Sequence, residues 1–453
     1  MSDKKLNRED LGNYIKNVLF SPIPLSSLET AAAHTGLVGL ELEVFSLRKD
    51  GDGLSPAQLY GGEDPLIDRL LAVSEHHGGE AIYAKSDPEH KLIDKIKFQN
   101  GNYFHFEPGG QIEIRTQPFA NTSALAAQVE FCKKIWREVS ETSRYRFAQT
   151  GTNSFFEGSV LKNQIPKPRY IRLEEYLHAL SPFGRQMMFQ TCSLHINMDL
   201  GKEETERFKR IAVSNLLVPF ATPLFANSSM IDGKPTPMKS YRSYIWQQLD
   251  PLRTGILPLD KALRSMDTDD LVLAYTEFAL KAPLIYIPEL DHKTLPQSFT
   301  MAHWLTHSIE GFYPDRSHIE NHVSLLFPEV RLKGYLEIRS VDAPPAEWEL
   351  IPVLFYMGLL YSSAQLDKVL ERLIPCAGKI RSLHQKAVYG LKDEELFSMS
   401  KALMELSMEG LSNIPGAVID KEHLQKYLAF YERLTLQRKS FADLGAKDLS
   451  VDS

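Results

Sequence analysis

Apolar and polar side chains alternate through Gly39 to Leu47 (GLELEVFSL), the period-2 pattern of a strand with one buried face, and the chain returns to that pattern three more times. Tyr103 to Ile114 (YFHFEPGGQIEI) predicts two short strands around a Pro-Gly-Gly turn, and CSLHINMDL (192–200) and EVRLKGYLEIRS (329–340) predict further strands. Elsewhere the apolar spacing lengthens to three and four residues. Pro65 to His77 reads as an amphipathic helix stopped by Gly78 and Gly79. Ser123 to Thr142 reads as a second, and 203–220, 346–363, 394–410 and 419–438 as others.

Strands and helices come in mixed order, without the strand-helix alternation of a doubly wound sheet and without its Gly-rich phosphate loops. The expected fold is therefore α+β, a mainly antiparallel sheet covered by helices. Residues 1–35 read as a helical lead-in, 36–365 as one catalytic unit and 366–453 as a helical C-terminal cover.

The polar halves of the alternating stretches carry the candidate chemistry. Glu41 and Glu43 leave one face of the first strand, opposite Leu40, Leu42 and Val44. His195, Asn197 and Asp199 share a face in the third stretch; Glu337 and Arg339 do so in the fourth, and Glu329 and Arg331 repeat the spacing nearby. Glu107 and Glu113 are evenly spaced, but the intervening Pro108-Gly109-Gly110 leaves open a turn or bulge that shifts their register. A lone E-x-E on a strand is ordinarily a solvated outer face. Recurrence changes that reading. Several carboxylates, a histidine and arginines on a face covered by helices would be costly unless paired, and bound cations would resolve the repulsion. Carboxylate sets with at most one histidine suit Mg²⁺ or Mn²⁺ better than zinc, and Mg²⁺ completes its shell with water and substrate phosphates. That points to nucleotide chemistry.

Bulk properties narrow the class. The chain of 453 residues, with 43% hydrophobic and 24% charged content, lies in the globular range. A net charge of −7 leaves no basic excess for nucleic-acid phosphates. The longest apolar stretch, Leu350 to Tyr361, is interrupted by Pro352 and falls short of the roughly 20 residues that span a bilayer, so no membrane partner is expected. The polar start MSDKKLNRED lacks a secretory or transit pattern, which makes the cytoplasm the expected address. Cys132, Cys192 and Cys376 are odd in number and widely spaced, consistent with reduced thiols.

Six blocks in order, GLELE (39–43), FEPGGQIEI (106–114), GRQMMFQTCSLHINMDL (184–200), LFANSSMIDGKP (224–235), YRSYIWQQLDPLRTGILP (241–258) and ENHVSLLFPEVRLKGYLEIRS (320–340), resemble the glutamate-cysteine ligases of the plant and proteobacterial branch. The resemblance implies a glutamine-synthetase-like fold with a curved sheet. It also implies a reaction in which ATP, as co-substrate, phosphorylates the γ-carboxylate of glutamate before the amine of cysteine attacks. Carried onto matching positions, Glu41 and Glu43 would ligate Mg²⁺ or Mn²⁺, Glu107 and Glu113 would hold a second metal or orient the amino acid, and Glu337 would complete a metal site. Arg339 would neutralise the transferring phosphoryl group, with Arg331 beside it. Arg242 and Arg253 are candidates for a substrate carboxylate or phosphate, since guanidinium forks match such oxyanions.

Two positions depart from that branch. His195 stands where glutamine is expected, and Leu252 replaces an acid before Arg253. His195 is read either as a metal or nucleotide contact, with Asn197 beside it, or as a hydrogen-bonded structural group. Trp246 is read either as packing or as a stacking platform for adenine. A γ-glutamyl ligase with another amine acceptor, a non-catalytic metal- and nucleotide-binding descendant and a guanidino-type kinase remain alternatives.

Overall fold

Strand β1 (Val38–Asp50) forms where the first alternating stretch was expected, and the rest of the sheet is assembled on it. The computed structural model describes residues 5–23, 36–85, 87, 92–290 and 293–444. Nine more strands complete the sheet: β2 (Gly53–Pro56), β3 (Gly79–Tyr83), β4 (Ile93–Phe98), β5 (Tyr103–Phe106), β6 (Ile112–Arg115), β7 (Tyr145–Ala148), β8 (Ser193–Met198), β9 (Val330–Leu332) and β10 (Leu336–Asp342). Their order is β9-β10-β8-β1-β6-β5-β4-β3, with β2 and β7 paired to the far half of β1, and every pairing is antiparallel. The α+β architecture with a helix-covered antiparallel sheet is as expected.

One face of this sheet is apolar. Leu40, Leu42 and Val44 of β1, Ile112 and Ile114 of β6, Leu194 and Ile196 of β8 and Leu336 and Ile338 of β10 are all fully buried. The helix Thr122–Thr142 lays Trp136 between Phe104 and Phe147, with ring centroids 5.9 and 5.5 Å apart. Each such aliphatic side chain contributes roughly 1.5–3 kcal/mol on burial. A one-residue slip would drive the carboxylates of the other face into this core, so burial fixes the register.

The expected helices form, with shifted ends. The helix expected at 203–220 runs Glu204–Leu224, with Pro219 and Pro223 inside it and its last turns wholly buried. The stretch 329–340 is two strands, split by a turn in which Gly334 takes a left-handed φ of 76°. Helices at Pro168–Leu180, Phe183–Gln190, Tyr241–Gln247, Thr268–Lys281 and Arg316–Ser324 were not anticipated. Within the N-terminal lead-in, a helix at Arg8–Tyr14 continues into a π-helical turn at Ile15–Leu19, while residues 1–4 and 24–35 lie outside the described residues.

C-terminal helices Glu394–Ser412 and Lys421–Arg433 share one core with the sheet and with the helix Leu350–Leu360. The helices 350–360 and 394–412 meet backbone to backbone, and a Cβ on Gly410 would stand 1.8 Å from the carbonyl oxygen of Gly358. No helix among the described residues is long and apolar enough to cross a membrane.

Candidate active site

The second face of the sheet is built from the polar halves of the same strands, and the register sets its pattern. Arg331 pairs with Glu337 and Glu337 with Asn197; His195 pairs with Glu41 and Glu41 with Arg115; Glu43 pairs with Glu113 and Glu113 with His105. Glu107 joins them. The β5–β6 pairing continues past Phe106 and Ile112, with the Glu107 N–H donating to the Gln111 carbonyl at 2.9 Å, so the Pro-Gly-Gly turn does not shift the register. Gly109 is required by close approach, since a Cβ there would lie 2.7 Å from Cα of Phe189.

These side chains line a cleft of about 600 Å³. Glu41, Glu43, Glu107, Glu113, His195, Arg242, Trp246, Arg331 and Arg339, all expected from the sequence, are on its wall. Glu337 lies beneath it, fully buried and hydrogen-bonded to Arg331 and Arg339. Within the cleft the carboxylates fall into two electrostatic environments.

The first holds Glu41, His195 and Glu337, whose ligand atoms lie within 4.8 Å of one another. Glu337 accepts from Arg331 Nη2 at 2.7 Å and Nε at 3.1 Å and from Arg339 Nη1 at 2.6 Å, and Lys333 Nζ is 3.0 Å away. Glu41 accepts from Asn197 Nδ2 at 3.1 Å, with Arg115 at 3.5 Å and Lys333 at 3.9 Å. Burial pushes both carboxyls up, but the cations outweigh it, Arg115 at Glu41 and Arg331 at Glu337, and hold both well below the usual range.

The second environment holds Glu43, Glu107 and Glu113, three acids that share one directly paired arginine, Arg115, whose Nε donates to Glu113, and the neighbouring His105. Glu43 accepts from the Ser193 N–H at 2.7 Å and the Ser193 hydroxyl at 2.8 Å. Burial, reinforced by the neighbouring Glu107, raises it to about 7. Glu113 is pushed well up by burial, with Glu41, Glu107 and Glu43 adding to the rise against the pull of Arg115. Burial also acts on Glu107, but the His105 imidazole beside it holds that group at about 2.

The two environments suit different ligands. A bare divalent cation fits the second, because it would supply the charge the acids lack. A metal arriving with phosphates fits the first, where Arg331, Lys333 and Arg339 stand ready for the phosphate oxygens. Buried polar atoms without a protein partner on the wall, Arg242 Nε and Trp246 Nε1, add to the case for a ligand. His195, lowered to about 4 by burial and then by Arg339, presents a neutral imidazole to either set.

The expectations for Arg253, Trp246 and Asn197 need correction or refinement. Arg253 is not on the cleft wall: it is fully buried and its guanidinium donates to the carbonyl oxygens of Leu325, at 2.6 Å, and Pro283. Two of its donors go to backbone acceptors and its Nε stands 3.6 Å from Asp250 Oδ2, so it ties segments together away from the cleft. Trp246 lies on the wall with the guanidiniums of Arg339 and Arg242 at 5.7 and 6.0 Å from its ring, a cation–π support for two arginines. Asn197 is not on the wall; its Nδ2 donates to Glu41 behind it.

Sequence reading missed Arg115, Lys333, Ser193 and His105. Each continues an alternation already noticed: two residues after Glu113, two after Arg331, two before His195 and two before Glu107. Lys167, Arg169 and Tyr170 also reach the wall, but from the start of a helix whose segment shows no such spacing.

The model of glutamate-cysteine ligase family 2 matches residues 69–406. A chloroplastic glutamate–cysteine ligase of Medicago truncatula is 31% identical over 316 residues, covering 67% of this chain and 60% of that protein. The corresponding protein of Solanum lycopersicum is 31% identical over 361 residues, covering 77% of this chain and 66% of its own length. The chain thus spans about three fifths to two thirds of these relatives. A solved glutamate–cysteine ligase of Francisella tularensis in complex with AMP superposes with a TM-score of 0.44 at 11% identity, covering 89% of this chain and 82% of that one.

Proposed function

The chain belongs to glutamate-cysteine ligase family 2, and from that premise we propose that it joins the γ-carboxylate of glutamate to the amine of cysteine with cleavage of ATP to ADP and phosphate. The observation that carries the reading is the division of one cleft into a cation-rich end and a cation-poor acidic centre on adjacent strands.

In this reading Arg331, Lys333 and Arg339 receive the triphosphate, and Arg339, stacked on Trp246 and Phe327, is aimed at the transferring group. Glu41, His195 and Glu337 would hold the metal that accompanies the phosphates; Glu43, Glu107 and Glu113 would hold a second. A divalent ion held by these residues would supply neutralising charge to phosphate and carboxylate oxygens. Arg242, anchored by a 2.9 Å hydrogen bond to the Arg339 carbonyl and with Nε unsatisfied, is placed to bind the glutamate carboxylate. The γ-carboxylate oxygen takes the terminal phosphoryl group and ADP leaves. The amine nitrogen then attacks the activated carbon, phosphate departs and a proton is released.

An alternative amine acceptor follows from the same machinery, since His195 and Leu252 depart from the plant pattern. Incubation with ATP, Mg²⁺, glutamate and a panel of amines, with ADP release as readout, separates the two; cysteine giving no more turnover than other amino acids would remove it as the acceptor. Arg339→Ala is expected to lower turnover about 10²–10³-fold while nucleotide still binds. Unchanged turnover would refute the role given to Arg339.

A further inference from the structure

With phosphates at Arg331, Lys333 and Arg339, the base of a nucleotide must lie beside those cations, and there the character of the cleft wall changes. The N-terminal lead-in supplies Tyr14, Val18 and Leu19, which line the cleft together with Val323 and Leu332. Two backbone hydrogen bonds tie that segment to the turn that follows Lys333. The Gly334 N–H donates to the Leu19 carbonyl at 3.0 Å, and the Ile23 N–H donates to the Gly334 carbonyl at 3.3 Å. A Cβ on Gly334 would stand 2.6 Å from Cγ1 of Ile23, so the approach needs glycine there. Leu19 thus rests against the residue next to Lys333, whose Nζ is 3.0 Å from Glu337.

A π-helical turn, a form often found at functional sites, runs Ile15–Leu19. Ile15, Leu19 and Phe20 are buried, with the Phe20 ring edge-on to Tyr275 at 6.0 Å, while Val18 is 37% exposed on the cleft wall. Tyr14, just before the turn, is half-buried, with the Arg316 guanidinium 5.7 Å from its ring. Such a wall suits a flat ring system, whose faces stack on an aromatic side chain and pack on aliphatic ones. Leu173, Met187 and Met188 form a second apolar stretch, but it borders the acid set: the Met188 carbonyl accepts from Gln111, between Glu107 and Glu113. A base there would draw its phosphates among the carboxylates. We propose that Tyr14, Val18 and Leu19 seat the purine base of the nucleotide, so that the lead-in completes the cleft. The inference rests on the proposed function for the place given to the phosphates.

Isothermal titration calorimetry of the full chain with Mg²⁺ compares ADP with inorganic pyrophosphate, which carries the same pair of phosphates without the base. Wild-type protein is expected to bind ADP more tightly. Val18→Asn alters an exposed side chain and should leave the fold intact. Its affinity for ADP is expected to fall about tenfold, with that for pyrophosphate unchanged. Tyr14→Ser is expected to behave alike, and a loss confined to Val18→Asn would remove Tyr14 from the seat. Unchanged ADP affinity in Val18→Asn overturns the proposal, as does an equal loss for ADP and pyrophosphate, which would place the damage at the cations. A wild-type protein that binds ADP no more tightly than pyrophosphate overturns it without any variant. Absent ADP release from ATP with every amine, alongside the expected pattern of affinities, would sink the ligase reading and leave the seat standing.

Discussion

Glu43 lies directly opposite Glu113 in the β1–β6 pairing, so a partly buried and a fully buried carboxyl face each other in the cleft. Cross-strand pairs of like charge are destabilising. The fold tolerates this one because the apolar residues behind it fix the register.

The first expectation follows from that pair. Mg²⁺ or Mn²⁺ should raise the melting temperature of the wild-type protein, with a stabilisation of about 2.7 kcal/mol at a hundredfold excess over Kd. Glu43→Gln, which mimics the protonated form of a group already raised to about 7, should fold and lose most of that shift. Differential scanning calorimetry with and without the ion is the measurement; equal shifts in both proteins would exclude Glu43 from cation binding.

Arg253 should behave as a structural residue. Arg253→Met leaves the buried carbonyls of Leu325 and Pro283 without their donors, each worth about 1–3 kcal/mol. Denaturant unfolding should show a loss of that order, while KM values of the folded fraction stay unchanged. A tenfold rise in a KM without loss of stability would restore Arg253 to the binding site.

His322 gives a pH signature outside the cleft. It is buried among Val323, Arg253 and the Ala279 carbonyl, which lies 2.8 Å from Nε2, and burial, then Arg253, lowers it to about 3. Unfolded, it takes up a proton near pH 6.5. Between those limits the unfolded state binds the extra proton, so stability falls as pH falls, by at most about 1.4 kcal/mol per unit. His322→Asn should flatten this slope; identical unfolding curves from pH 6.5 to 4 in both proteins would refute the assignment.

Asp342 should set the position of Arg242. A register shift between Ile338 and Val341 turns Asp342 to the cleft side, opposite Ser193. There it accepts from the Asn227 N–H at 2.8 Å, Ser228 Oγ at 2.6 Å and Ser240 Oγ at 3.0 Å, with Arg242 Nη1 at 3.7 Å. Asp342→Asn is expected to raise the KM for the substrate bound by Arg242 about tenfold, a loss of roughly 1.4 kcal/mol. An unchanged KM would assign Asp342 to folding alone.

Much of the site could be read from alternation, because a strand repeats every two residues and a buried apolar face forces its polar partners to the other side. That logic put Glu41, Glu43, His195, Glu337 and Arg339 on the polar faces of their strands, and it also contained Arg115, Lys333, Ser193 and His105, which continue the same spacing. It could not follow Glu107 through Pro108-Gly109-Gly110, nor Asp342 past the bulge, because an inserted or turned residue changes parity without a mark in hydrophobicity.

By itself the sequence determined which side chains face away from the core, since that depends on local periodicity and on the free energy of burying apolar groups. The tertiary structure alone decided which strands became neighbours, and with that the charge surrounding each carboxylate. Glu41 and Glu43 are two residues apart with the same chemistry, yet Arg115, Lys333 and His195 hold one ionised while burial and Glu107 hold the other near 7. Electrostatic interaction depends on distance through space in a poorly polarisable interior, and spacing along the chain does not encode it. Arg253 differs from Arg339 for the same reason: which acceptors reach a guanidinium is settled only when the chain has folded.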